Sequence, residues 1–141
     1  MRVRAAQINA FEAGAEPAFR KRIAAYLRER HGQAVVRIPG AERTVNQISD
    51  DTMAVLVDTC LARARSHGLS WESTLNAFVT LMVTIAPNFD EQPAVRAALS
   101  DDHRPPDFRM QELGQRVTKQ DWDAAAAAYD PKSWQSRTSG S

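Results

Sequence analysis

Apolar positions along most of this chain recur three and four residues apart, which is the period of an α-helix rather than a strand. The clearest case is Ser70 to Asp90, where Trp71, Leu75, Phe78, Val79, Met82 and Ile85 fall on one helical face. Leu81 and Val83 flank that face, and Ser73, Asn76, Thr80 and Thr84 make the opposite side polar but uncharged. Glu72 is the only charged residue between Trp71 and Ala86. A helix that is apolar on one face and nearly free of charge elsewhere packs on more than one side. Trp71–Ala86 is therefore expected to be the central helix. It is too short and too rich in hydroxyls to span a bilayer.

The remaining elements are read around it. Val3–Ala13 predicts a weak first helix, with Ile8 and Phe11 on one side and Gly14 interrupting it. Pro17 suits the first turn of a second helix, with Phe19, Ile23, Tyr26 and Leu27 inward and Gly32 in a left-handed cap. Gln33–Asn46 reads as a connector with a turn at Pro39-Gly40; a strand-like piece at Val35, Val36 and Ile38 has no partner, so no sheet is expected. Ser49 caps a third helix with Met53, Val57, Cys60, Leu61 and Ala64 inward, and Gly68 with Leu69 ends it. Ser70 is expected to cap the central helix, and Pro87 to stop it. Phe89 is expected under the following turn, with Asp90 capping a short helix from Gln92 to Ser100. A further helix from Pro106 turns Met110, Leu113 and Val117 inward. Thr118–Asp121 has a capping-box pattern before an alanine-rich last helix anchored by Trp122 and Tyr129. The fold class is all-α: a single domain of about six helices over 1–131, with a flexible tail over 132–141.

Composition changes this picture little. The chain has 141 residues, 25% charged and 43% apolar, as in an ordinary globular domain with one core. One cysteine excludes an internal disulfide framework and fits a reducing compartment. With no signal segment read at the start, the expected location is the cytoplasm. The net charge of +1 hides an asymmetry. Residues 1–37 hold eight basic and three acidic side chains, a net of +5, and the rest hold ten basic and fourteen acidic, a net of −4. The basic part contains the run Arg20, Lys21, Arg22 with Arg28 and Arg30, all outside the Phe19–Ile23–Leu27 stripe. A nearly neutral domain lacks the high pI of a nucleic-acid binder. These five residues are read as a face for a protein partner, or as one that closes on the acidic Asp90–Asp130 segment. Trp134, beyond Pro131, is expected to be exposed and to join such an interface, whereas Trp71 and Trp122 are expected in the core.

No group of residues predicts catalysis. His31, His67 and His103 lack the spacing of a helical zinc site, and no Cys-x-x-Cys is present, so no metal and no cofactor are expected. Cys60 lies on an apolar stripe, the setting of an inert thiol. Asp90, Glu91, Asp101, Asp102 and Asp107 read as solvated loop acids and caps.

One pattern reaches further. Arg63-Ala64-Arg65-Ser66-His67-Gly68-Leu69, then Glu72, Phe78-Val79-Thr80-Leu81-Met82, Ala86-Pro87-Asn88-Phe89-Asp90 and Pro93 resemble a family of small helical proteins. Members of that family are encoded beside type VI secretion spike (VgrG), PAAR-tip and effector-chaperone genes. The likeness covers about 53–117, with a weaker echo in Phe19–Leu27; His67 stands for a tyrosine, Ala86 for a glycine and Asn88 for an aspartate. It implies an accessory, non-enzymatic role: an adaptor or co-chaperone that helps a toxic effector or its chaperone reach the spike. The readings set against it are an immunity protein that neutralises a cognate secreted toxin and, third, an enzyme.

Overall fold

The computed structural model describes residues 3–134, with side chains from Pro17 onward. The domain is mostly helical, as expected, with one small antiparallel hairpin. Helix α1 (Val3–His31) is continuous, so the break expected at Gly14 is absent. A lone glycine costs a helix only about 1 kcal/mol, and Pro17 sits inside α1 rather than opening a second helix. The expected contacts of Ile8 and Phe11 fall outside the described side chains.

The connector is a hairpin of β1 (Val35–Ile38) and β2 (Ala41–Thr44), in register from Val35 opposite Thr44 to Ile38 opposite Ala41. Its turn is Pro39-Gly40, with Gly40 at φ +80°, as suits the second central position of a type II turn. The expectation of no sheet is corrected: the piece found its partner across a two-residue turn. The hairpin is stable in isolation only marginally, and here it is held from outside. Val36 is fully buried, and the Arg37 guanidinium donates to the carbonyls of Ile85 and Ala126 while lying 4.3 Å from the Tyr129 ring. Gly32 is not left-handed as expected. Its lack of a side chain serves close approach, since a Cβ there would collide with the Asn46 side chain and the Arg28 carbonyl.

Helix α2 (Asp50–Ser66) begins at Ser49, whose Oγ accepts from the Thr52 amide, and ends before Gly68 at φ +87°. Helix α3 (Glu72–Thr84) is the expected central helix, packed by α1, α2, β1 and α5 (Pro106–Gln111). Leu75, Phe78, Val79 and Met82 are buried on it, joined by Ile23, Leu27, Met53, Val57, Cys60 and Phe89 from neighbouring elements. A single 3-10 turn at Phe89–Glu91 leads to α4 (Pro93–Leu99), followed by α5, α6 (Leu113–Arg116) and α7 (Lys119–Ala127). The capping box before α7 forms as expected, with Thr118 Oγ1 accepting from the Asp121 amide at 3.1 Å and Asp121 returning the bond at 3.0 Å.

Two tryptophans exchange roles. Trp134 is 7% exposed, within a 3-10 turn at Pro131–Trp134, and its Nε1–H donates to the Arg37 carbonyl at 2.6 Å. The expected exposure of Trp134 is thus corrected; its turn packs on the hairpin, unforeseen as a surface, and on α2. Residues 131–134 belong to the packed domain, and the rest of the expected tail lies outside the described residues. Trp71, expected in the core, is 39% exposed and meets Phe108 edge to face at 5.0 Å. It is the N-cap residue of α3, so its side chain leaves the helix before the buried stripe begins.

Candidate functional site

Three of the five basic residues singled out on α1 are engaged within the domain. Arg20 reaches Asp58 at 2.7 Å and Arg22 reaches Glu72 at 3.0 Å, both pairs partly or largely exposed. Arg28 caps the end of the hairpin region: its guanidinium donates to the carbonyls of Val45 and Ile48 at 3.0 and 2.9 Å, and to Asp50 at 3.1 Å. The acids met are on α2 and the first turn of α3, not in the Asp90–Asp130 segment. Lys21 and Arg30 are exposed and take part in no ion pair among the described residues. Beside Lys21 the seam between α1 and α2 opens into an apolar depression of about 550 Å³, lined by Pro17, Ala24, Ala25, Met53 and Ala54 with Arg20, Arg28 and Asp50 at its ends.

A second cluster was not foreseen. Arg63 is only 4% exposed and Asp90 5%. The guanidinium grips the carboxylate through two bonds, Nε to Oδ2 at 2.8 Å and Nη2 to Oδ1 at 2.7 Å. Nη2 also reaches Glu91 at 3.1 Å, and His67 Nε2 lies 2.8 Å from Asp90 Oδ2. Since a carboxylate only accepts, the imidazole carries its proton on Nε2. Burial alone would push the Asp90 carboxyl up; the bonds from His67 and Arg63, with the Arg63 charge, outweigh it and hold the carboxyl below its usual range. The cap of α4 is therefore not Asp90 but Gln92, whose Oε1 accepts from the amides of Ala94 and Val95. A signal was present: Arg63 lies three residues from Cys60 and one from Ala64, on the apolar stripe of α2. A charge on a buried stripe demands a partner.

Asp107 was likewise read as a solvated acid. It is buried and accepts from the amides of Ser70 and Trp71 and from the hydroxyls of Ser70 and Thr74. Ser70 does not cap α3 as expected: the N-cap residue is Trp71, which makes no side-chain cap, and Asp107, thirty-seven positions from Ser70, instead fixes the Ser70-Trp71 backbone that leads into the helix. Burial opposes ionisation, but these four donors hold its carboxyl below the usual range.

The chemistry available to the Arg63–Asp90 cluster is limited by how its atoms are committed. Both carboxylate oxygens are engaged by Arg63, and Ser66 Oγ donates to the Arg63 carbonyl rather than to the imidazole. Cys60 is fully buried, which pushes its thiol well above the usual range against the weaker pull of Arg63. Among the described residues, no group of three or more His, Cys, Asp or Glu could hold a metal ion, and no helix is long and apolar enough to cross a membrane. No protein-family model, no curated protein and no solved structure matches this chain.

Proposed function

We propose that the chain is a non-enzymatic cytoplasmic adaptor or co-chaperone that binds a type VI secretion effector, its chaperone or the spike complex. The observation that carries a binding role is the apolar depression on the α1–α2 seam, open to solvent beside the uncompensated Lys21. Apolar surface framed by charge is the composition of a protein interface. The secretion assignment draws on the resemblance over 53–117. The residues that carry it are architectural here: Arg63 holds Asp90, and Phe78 packs against Phe89 with ring centroids 4.8 Å apart. Such residues preserve a scaffold and leave a surface such as the α1–α2 seam free to recognise the partner.

The test uses the purified full chain with the effector, chaperone and spike proteins encoded beside its gene, each expressed separately. The expected result is a stable complex with one of them, weakened at low salt by Lys21→Glu without loss of melting temperature. Binding to none of them would overturn the proposal. Rescue of growth from an adjacent toxin, with a direct toxin complex, would replace it by the immunity reading.

A further inference from the structure

Helices α1 and α2 run antiparallel, and two ion pairs cross between them: Arg20 to Asp58 and Arg28 to Asp50. The two crossings are eight residues apart on each helix, hence about 12 Å along the axis. Midway between them, where long side chains would otherwise close the seam, the chain places Ala24 and Ala25 on α1 and Ala54 on α2. Ala25 and Ala54 are exposed, and the buried Met53 forms part of the lining. Among the described residues the depression follows α1 from Pro17, past the Arg20–Asp58 crossing, to Arg28, and is lined most thinly by the alanines between the two salt bridges.

Its charges are also particular. Arg20, Arg28 and Asp50 are each satisfied by an ion pair across the seam. Lys21 is the lining charge left without one, and it stands on the α1 side. A depression of about 550 Å³ with an apolar floor has room for more than one bulky side chain, as where the apolar face of a helix lies in a groove. Interfaces draw most of their affinity from a few such anchors.

We infer that the α1–α2 notch receives the apolar face of a helix of a protein partner, anchored by a leucine or phenylalanine, with a carboxylate one turn away on that helix meeting Lys21. The inference rests on the protein-binding reading above and specifies the chemistry of the partner. A helix bearing a lysine at the same place would meet like charge, so the notch discriminates by sign as well as by shape.

The probe is a set of alanine-based helical peptides of about 18 residues, long enough to hold helix in isolation. One carries a central leucine with glutamate four residues to either side; a second replaces the leucine by alanine; a third replaces the glutamates by lysine. Each is titrated into the isotope-labelled full chain while amide resonances are followed. The leucine–glutamate peptide is expected to shift Lys21, Ala24, Ala25 and Ala54 saturably below ~1 mM, and the other two to bind at least about tenfold more weakly. Ala54→Trp fills the notch from an exposed position and is expected to abolish the shifts while the thermal melt stays cooperative. Should that variant not fold, Ala25→Leu serves the same purpose from α1. No saturable shift at ~1 mM, shifts centred elsewhere, or equal binding of the lysine peptide would overturn the inference. A complex with a neighbouring gene's protein that survives Ala54→Trp and Lys21→Glu would overturn the notch and leave the adaptor reading standing. Peptide binding with no such complex would do the reverse.

Discussion

Replacing Asp90 by asparagine separates two accounts of the turn after α3. If Asp90 merely capped a helix, its loss would cost about 0.5–2 kcal/mol. In the structure it is the buried partner of Arg63, and removing one member of a buried pair costs about 3–5 kcal/mol, because the other charge is left unpaired. Two features place the expected value near the lower end. The asparagine carbonyl still accepts one bond, and Glu91, 3.1 Å from Nη2 and more than half exposed, offsets part of the lost charge. We therefore expect a loss of about 3 kcal/mol in urea unfolding followed by circular dichroism, with an unchanged denaturant slope. The same change made in an Arg63→Met background should cost under about 1 kcal/mol, since no guanidinium remains to be stranded. A loss below about 1 kcal/mol in the natural background, or one indifferent to Arg63, would refute the buried pair.

Phe78→Ala should cost about 3–5 kcal/mol in the same assay, because the ring is fully buried between His67 and Phe89; a loss under about 1 kcal/mol would undo the central position of α3. Trp134→Ala should cost a comparable amount, about 3–5 kcal/mol, and unchanged stability would show the 131–134 turn to be unpacked in solution. Asp90 and Asp107 both have carboxyls held below the usual range, so their contributions are complete above about pH 4 and vanish as pH falls through the folded values. An acid titration of the melting temperature should show this fall, flattened in Asp107→Asn. Arg28→Ala, which removes the side-chain donor from the Val45 and Ile48 carbonyls, should cost about 1–3 kcal/mol, whereas Lys21→Ala should fall within about 0.5 kcal/mol of the natural chain. Equal effects would mean the basic face is not divided into structural and free charges.

Much of the fold was legible because helical period, caps and stops are local. Ser49, Gly68, Pro87 and the Thr118–Asp121 box act through residues within four positions of themselves, and each lies where its chemistry placed it. What was not legible depends on partners distant in sequence. The hairpin looked unsupported because its supports, α3, α7 and the 131–134 turn, lie far along the chain. Trp134 looked exposed for the same reason, since its turn packs on that hairpin and on α2. Asp107 and Asp90 read as loop acids or caps in the sequence because their donors lie 23 to 37 positions away. Trp71 failed differently: it matched the period of the stripe but sits at the cap, where the backbone has not yet turned into the helix.

The candidate interface shows the same division at the level of charge. The sequence separates a basic first third from an acidic remainder, which invites a long-range closure of one end on the other. The structure pairs part of that charge over a short range, because α1 lies antiparallel on α2 and brings Arg20 and Arg28 opposite Asp58 and Asp50. Helical period says which residues face outward; it does not say which rungs of two helices meet, since that depends on packing register. Once the register is known, a run of five basic residues resolves into unequal parts. Arg28 holds backbone carbonyls and belongs to the scaffold, Arg20 and Arg22 bridge helices at partly exposed sites, and Lys21 and Arg30 retain uncompensated charge. Of those last two, Lys21 alone lines the apolar seam. The recognition proposed for this face would therefore concentrate on a short stretch of α1 rather than on the whole basic run. An exposed charge costs nothing to leave unpaired in water, and it gains most from a partner where apolar surface beside it is buried at the same time.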